Sequence, residues 1–134
     1  MPRLVVCARV LAALFFAAAG ANHFIAPAFY ERIVPPALPA PGLLVTLSGA
    51  FEVLGGVGLL IAPLRRWAAW GLIALLVAVF PANIYMVLSP EWAAPLHLPE
   101  WVLWARLPMQ GVLMAWVWWV GTGNQAGRAD KSSR

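Results

Sequence analysis

Four long apolar stretches constrain the fold of this chain more than any other feature of its sequence. They cover about residues 4–21, 43–61, 67–88 and 101–120. A helix needs roughly 20 apolar residues to cross the hydrocarbon core of a bilayer, and each stretch approaches that length. Only 10% of the 134 residues are charged, against about 25% in ordinary soluble domains. The sequence therefore predicts an all-α integral membrane protein, a bundle of four spanning helices.

The segments between these stretches are predicted to be loops. Residues 22–42 contain five prolines and residues 89–100 contain three, and a proline cannot continue a helix. Residues 62–66 are too few for anything but a tight hairpin. After the last stretch, residues 121–134 are predicted to form a polar, basic tail.

The basic residues lie in alternate connections. Arg3, the Arg65–Arg66 pair and the C-terminal tail carry most of them, whereas the first and third connections carry only Arg32. Loops rich in lysine and arginine stay on the cytoplasmic side of a membrane. We therefore expect a multi-pass protein with both termini, and the tail, in the cytoplasm.

The first stretch also resembles a secretory signal peptide. Arg3, an apolar run and the small residues Ala19-Gly20-Ala21 fit that pattern. However, Arg9 interrupts the apolar run, and cleavage would leave three spans with termini on opposite sides. The charge pattern favours a retained span, in which the long side chain of Arg9 reaches the cytoplasmic surface.

Several classes of site are not expected from this composition. Cys7 is the only cysteine, which excludes an internal disulfide, a CxxC redox pair and a thiolate zinc cage. We predict no metal site and no covalently bound cofactor. The net charge of +4 is distributed over helix flanks rather than in a stripe interleaved with aromatics, so nucleic-acid binding is not expected.

Polar residues at membrane depth are the candidates for function, because they are costly there and usually face the bundle interior. With a rise of about 1.5 Å per residue, Glu52 and Gln110 lie roughly 13 Å from the outer ends of their helices. Arg106 and Asn83 lie about 8 Å from those ends. The shared depth predicts one polar site in the outer half of the bundle. Its candidate residues are His23, Glu52, Asn83, Tyr85, Arg106 and Gln110.

Within this site, we predict an ion pair between Glu52 and Arg106. A charge in a low-dielectric interior needs a partner, and Arg106 is the only arginine at a suitable depth. Arg106 and Gln110 are four residues apart and share one face of their helix.

A purely structural role for these residues remains open. Polar contacts between spans can simply hold helices together, and Asn83 could satisfy a carbonyl that Pro81 frees. Close helix approach is favoured by four glycines, Gly49, Gly55, Gly56 and Gly58.

The same residues belong to motifs that resemble a known family. These motifs are Asn22-His23-Phe24-x-x-Pro27-x-x-Tyr30, Ser48-Gly49-x-x-Glu52-x-x-Gly55-Gly56, Phe80-Pro81-Ala82-Asn83-Ile84-Tyr85-Met86 and Arg106-Leu107-Pro108-x-Gln110. Over roughly residues 4–120 the chain resembles the DoxX-like family of small four-span bacterial membrane proteins. The resemblance implies a four-helix bundle in the bacterial inner membrane. Relatives are linked to quinone chemistry, among them a membrane subunit of a thiosulfate:quinone oxidoreductase.

The functional prediction that follows is the binding of a quinone, a quinol or a similar small amphiphile in the outer half of the bundle. Arg106 and Gln110 would hold the ligand oxygens, with Asn83 and Tyr85 beside them. Glu52 and His23 would act catalytically by exchanging protons.

Electrons would have to come from a partner redox subunit or another molecule, so the chain would be the membrane subunit of a quinone-linked oxidoreductase. The alternative is a non-catalytic scaffold or accessory subunit, in which the polar cluster only fixes packing. A small transporter is a third class, but it would need a polar route through the apolar inner half.

Overall fold

The computed structural model of the chain describes residues 2–123, and this part of the chain consists of helices and short connections, without strands. The helices are α1 (Pro2–Ile25), α2 (Pro27–Ile33), α3 (Pro41–Leu60), α4 (Arg65–Leu88), α5 (Pro90–Ala93) and α6 (Glu100–Thr122). A 3₁₀ turn, Ala94–Leu96, follows α5. The all-α prediction is confirmed for this part. Most of the predicted basic tail, residues 124–134, lies outside the described residues.

Three of the four long helices are both long enough and apolar enough to cross a membrane. They are Arg3–Ile25 within α1, Pro41–Leu60 in α3 and Arg65–Leu88 in α4. The 23-residue α6 has a similar length but is not among them. Its tryptophans, together with Arg106 and Gln110, lower its mean hydropathy.

The prediction that residues 22–42, before α3, and residues 89–100, after α4, are loops was wrong in part. The segment 22–42 contains the end of α1 and the short helix α2, and the segment 89–100 contains α5 and the 3₁₀ turn. Pro27 and Pro90 lie in the first turns of α2 and α5. At that position the missing N–H of proline has no helical partner to lose, so the residue starts a helix instead of ending one.

The four long helices pack in a closed ring of neighbours. α1 contacts α3 and α6, and α4 contacts the same two helices from the other side. Glycines allow the closest of these approaches, as predicted. A Cβ atom on Gly49 would lie 2.8 Å from the Cβ of His23 in α1, and one on Gly56 would lie 2.9 Å from the carbonyl oxygen of Ala13. The backbones of α1 and α3 therefore meet at distances that a larger residue would not permit.

Two apolar clusters form the core. The larger one joins α1, α3, α4 and α6 through Phe16, Leu59, Leu72, Val117 and Val120 with two alanines. The smaller one consists of Ile33, Met86 and Leu103. It lies at the end of the molecule that carries α2 and α5, called the α2 end below. The opposite end, which carries the start of α1, the α3–α4 turn and the end of α6, is called the turn end.

Arg9 lies in the interior of the turn end. Only 6% of its surface is exposed, and its Nε donates a hydrogen bond of 3.0 Å to the carbonyl oxygen of Val120 in α6. The prediction that this side chain reaches the surface was therefore wrong. The carbonyls in the last turn of a helix lack helical partners and carry partial negative charge, and this explains why they attract the guanidinium.

The outer surfaces of the long helices are strongly apolar. Leu14, Leu54, Val77 and Val112 are each more than half exposed. Monomeric soluble proteins rarely expose apolar patches that continue along whole helices. This surface matches the apolar environment that the three hydrophobic helices require.

Candidate functional site

A cavity of about 260 Å³ lies between the two apolar clusters. Phe16 and Leu72 of the larger cluster line one part of it, and Ile33 of the smaller cluster lines another. Five of the six predicted site residues also line it, namely His23, Glu52, Asn83, Arg106 and Gln110. The structure therefore brings together polar groups from all four long helices, as their shared depth predicted.

Tyr85, the sixth predicted residue, does not line this cavity. Its ring packs edge-on against Trp92 of α5, with 6.0 Å between the ring centroids. The guanidinium carbon of Arg32 lies 5.7 Å from the centroid of the Trp92 ring, within the range of a cation–π interaction. Tyr85 thus helps to join α5 and α2 to the end of α4. It lies outside this cavity, so its role in ligand binding stays a prediction.

Glu52 is paired with His23 rather than with Arg106. The Nε2 atom of His23 lies 3.6 Å from Oε2 of Glu52, and the two side chains are only 13% and 15% exposed. This is the single close contact between a carboxylate oxygen and a basic nitrogen within residues 2–123, and the predicted Glu52–Arg106 pair is not formed. The cause is the close approach of α1 and α3 at Gly49, which brings the His23 side chain beside α3.

The His23 ring is held from the other side by Tyr30 of α2. Their ring centroids are 4.0 Å apart, and Nδ2 of Asn22 donates a hydrogen bond of 2.7 Å to the Tyr30 hydroxyl oxygen. Tyr30 also lines the cavity. Sequence reasoning placed Tyr30 in a motif but gave it no role, because residues 22–42 were interpreted as a loop. Its spacing of three residues from Pro27 was the signal that it belongs to a helix.

Asn83 and Gln110 form a hydrogen-bonded chain between α4 and α6. Nδ2 of Asn83 donates to Oε1 of Gln110 over 3.0 Å, and Nε2 of Gln110 donates to the carbonyl oxygen of Leu76. Pro81, inside α4, has no N–H and therefore frees the carbonyl of Val77, the residue after Leu76. Gln110 thus contacts the carbonyl next to the freed one, while Asn83 donates to Gln110.

Arg106 is the cationic group of the cavity. It is partly buried, and within the described part of the chain it makes no ion pair with a carboxylate. Gln110 is 5% exposed and uses both ends of its amide within the protein. Arg106 therefore has more free hydrogen-bond donors to offer a ligand than Gln110, one turn further along α6.

The arrangement combines an acid–base pair and a cation in a largely apolar chamber. His23 reaches it from α1, Glu52 from α3 and Arg106 from α6. The remaining walls are largely aliphatic, with Leu72, Leu75, Leu76, Val79 and Leu113 among them. Such a site can hold a small ring with polar oxygens, donate hydrogen bonds to one oxygen and exchange a proton with another.

Comparisons with known proteins give a family but no function. No curated protein matches the chain, and no solved structure matches it. One family model matches residues 11–121, which include every long helix in whole or in large part and all the residues of the cavity. On that match, the chain belongs to the family described as "Domain of unknown function (DUF8561)".

Proposed function

We propose that α6 crosses the membrane together with α1, α3 and α4, so that the protein is a four-helix transmembrane bundle. Support comes from the length of α6 and from its contacts with both α1 and α4. Beyond Glu100 in its first turn, its strongly polar residues are Arg106 and Gln110, and both line the cavity, while Val112 on its outer surface is 66% exposed. A helix with this distribution hides its polar groups from lipid, which lowers the cost of crossing.

The orientation that we propose places the turn end in the cytoplasm of a bacterial cell, as a multi-pass protein of the inner membrane. The arginines support it, because Arg3, Arg9 and the Arg65–Arg66 pair all lie in the half of the molecule nearer the turn end. Positive residues flank spanning helices on the cytoplasmic side. The cavity would then lie in the outer half of the membrane.

The ligand that best fits the cavity is a quinone or quinol, or a small amphiphile with the same pattern of an apolar ring and opposed oxygens. One observation carries this proposal. The Glu52–His23 pair and the Arg106 guanidinium reach the same apolar chamber from different helices. A quinone ring needs a donor at one oxygen and an acid–base group at the other. The resemblance to the DoxX-like family, with its links to quinone chemistry, supports the same ligand.

In this proposal, Arg106 donates hydrogen bonds to one ligand oxygen, and Glu52 with His23 exchanges the proton of the other. Reduction of a quinone to a quinol takes up two electrons and two protons. No group among the described residues is a source of electrons, so a partner redox subunit or another molecule would supply them. The chain would then act as the membrane subunit of an oxidoreductase.

A non-catalytic scaffold is the second candidate, and the Asn83–Gln110–Leu76 chain favours it. All the hydrogen bonds of this chain join α4 to α6, as expected for polar groups that only fix helix packing. In that case the cavity would be a packing defect between the two apolar clusters.

Ligand binding separates these candidates. A short-chain ubiquinone or menaquinone analogue is titrated into the detergent-purified protein while thermal unfolding is followed. We expect stabilisation of the wild type, and a roughly 10- to 100-fold weaker response in Arg106→Gln, since a charged hydrogen bond is lost. Arg66→Gln is the matched control, because it removes the same charge from an exposed position outside the cavity.

The opposite result would favour the scaffold. If the wild type folds normally but its unfolding temperature does not respond to either analogue, and if lipid extracts of the purified protein contain no quinone by mass spectrometry, the scaffold is favoured.

A further inference from the structure

The buried guanidinium of Arg9 has a donor without an acceptor. Its Nε is bonded to the carbonyl oxygen of Val120, but its Nη2 atom is buried and has no hydrogen-bond partner within the described part of the chain. A buried charge of this kind is strongly unfavourable unless an anion and further hydrogen bonds accompany it. The turn end therefore needs an anion beside Arg9.

The first turn of α4, which begins with Arg65, lies next to this position. Gly121 follows the carbonyl that Arg9 contacts, and a Cβ atom on Gly121 would lie 3.6 Å from the carbonyl oxygen of Arg65. Arg65 is the first residue of α4, and its Nε donates a hydrogen bond of 2.9 Å to the carbonyl oxygen of Leu59. The positive end of the α4 helix dipole adds to the charge of the two side chains. Arg9, Arg65 and the start of α4 together define a cationic cluster at the turn end.

The described part of the protein supplies no carboxylate to this cluster. Of the five acidic residues in the sequence, Glu31, Glu91 and Glu100 lie at the α2 end, and Glu52 lies near the middle of α3, where it contacts His23. The fifth, Asp130, lies outside the described residues. The anion must therefore come from the tail or from outside the chain.

We propose that the cationic cluster of Arg9 and Arg65 binds the phosphate group of an anionic phospholipid. The aromatic side chains around the cluster support a lipid as the source, because Trp67 is 78% exposed and Trp118 is 53% exposed. Exposed tryptophans mark the depth of the lipid head groups. Arginine binds phosphate through paired, charge-assisted hydrogen bonds, and basic pockets between spanning helices bind anionic lipid head groups on the cytoplasmic side.

Lipid-dependent stability in detergent tests this proposal, and it does so independently of the outer cavity. The protein is purified without lipid, and phosphatidylglycerol is added at increasing mole fractions while thermal unfolding is followed. We expect the wild type to be stabilised, and the concentration for half-maximal effect to rise about 10-fold or more in Arg9→Gln and in Arg65→Gln. Arg66→Gln removes an equal charge from the neighbouring exposed residue and should respond like the wild type.

Three further arms identify the source of the anion. Phosphatidylcholine shares the phosphate but has no net charge, inorganic phosphate lacks the lipid, and Asp130→Asn removes the carboxylate of the tail. Equal stabilisation by phosphatidylcholine or by inorganic phosphate would overturn the proposal. So would an unresponsive wild type that loses stability on Asp130→Asn, since the tail would then be the anion. If Arg9→Gln does not fold, the comparison of Arg65→Gln with Arg66→Gln gives the same decision.

Discussion

The Nε2 atom of His23 lies 3.6 Å from Oε2 of Glu52, close to the point where α1 and α3 approach at Gly49. A side chain at Gly49 would force a shift there, because its Cβ would lie 2.8 Å from the Cβ of His23. The acid–base pair of the candidate site thus depends on a backbone contact, and the contact depends on glycine.

Replacing Gly49 with alanine should destabilise the protein and separate the His23–Glu52 pair. The new Cβ would lie 2.8 Å from the Cβ of His23 and 2.9 Å from the carbonyl oxygen of Gly20, so one of the helices has to shift. We expect a loss of about 1–3 kcal/mol, the usual range for overpacking, measured by thermal or denaturant unfolding in detergent.

Gly71→Ala is the matched control for this substitution. Gly71 is also inside a long helix, but nothing lies within 4 Å of its would-be Cβ. Alanine is a better helix former than glycine by about 1 kcal/mol, so this variant should be as stable as the wild type or more stable. Equal effects of the two substitutions would contradict the close contact at Gly49.

A double-mutant cycle should detect coupling between His23 and Glu52. The variants are His23→Gln, Glu52→Gln and the double substitution, compared by their free energies of unfolding. Residues in contact in one polar network couple by roughly 0.5–3 kcal/mol. The cycle of Glu52→Gln with Arg106→Gln should give a smaller coupling, because no ion pair joins those residues. The reverse order of the two couplings would restore the pair predicted from the sequence.

The sequence was sufficient to predict the long helices and the polar site, because apolar length and residue depth determine both. The sequence was not sufficient to predict which residues of the site contact one another. Depth does not reveal how each helix is rotated about its axis, and the pairing of Glu52 with His23 depends on a rotation that brings Gly49 against α1. The position of Tyr85 outside the cavity could have been predicted, since it lies two residues from Asn83 and so about 200° around the same helix. Pro27 was misinterpreted because proline both ends and begins helices.

Replacing Gln110 with leucine should destabilise the protein even without any ligand. Leucine has a similar volume, so the substitution removes hydrogen bonds while leaving the packing nearly unchanged. In the structure, the substitution removes the partner of the Asn83 side-chain amide and the second hydrogen bond of the Leu76 carbonyl oxygen, which already accepts within its helix. Stranding buried polar groups costs about 1–3 kcal/mol, and thermal unfolding in detergent should show that loss.

Val112→Leu serves as the control for Gln110→Leu. Val112 lies in the same helix but is 66% exposed, and its replacement should change stability by less than about 0.5 kcal/mol. A wild-type stability for Gln110→Leu would mean that the chain from Asn83 to Leu76 contributes nothing to the packing of α4 on α6.

Three or four helices of this protein cross the membrane, and the two arrangements place the C-terminal end of α6 on opposite sides. Three helices meet the length and hydropathy of a spanning helix, and α6 does not. If only those three cross, α6 lies on the outer surface and its C-terminal end is outside the cell. If α6 crosses as proposed, that end is in the cytoplasm. Ala94, in the connection before α6, is outside in both cases.

Single cysteines at Ala94 and Gly123 should therefore label differently in intact cells. Both residues are exposed, so accessibility within the protein does not distinguish them. The native Cys7 is exposed as well and is first replaced by serine to give a cysteine-free background. With a membrane-impermeant maleimide, we expect labelling at Ala94 and none at Gly123 until the cells are permeabilised. Labelling of Gly123 in intact cells would exclude the crossing of α6. It would also contradict the proposed ligand site, because a helix on the membrane surface cannot hold Arg106 and Gln110 at membrane depth.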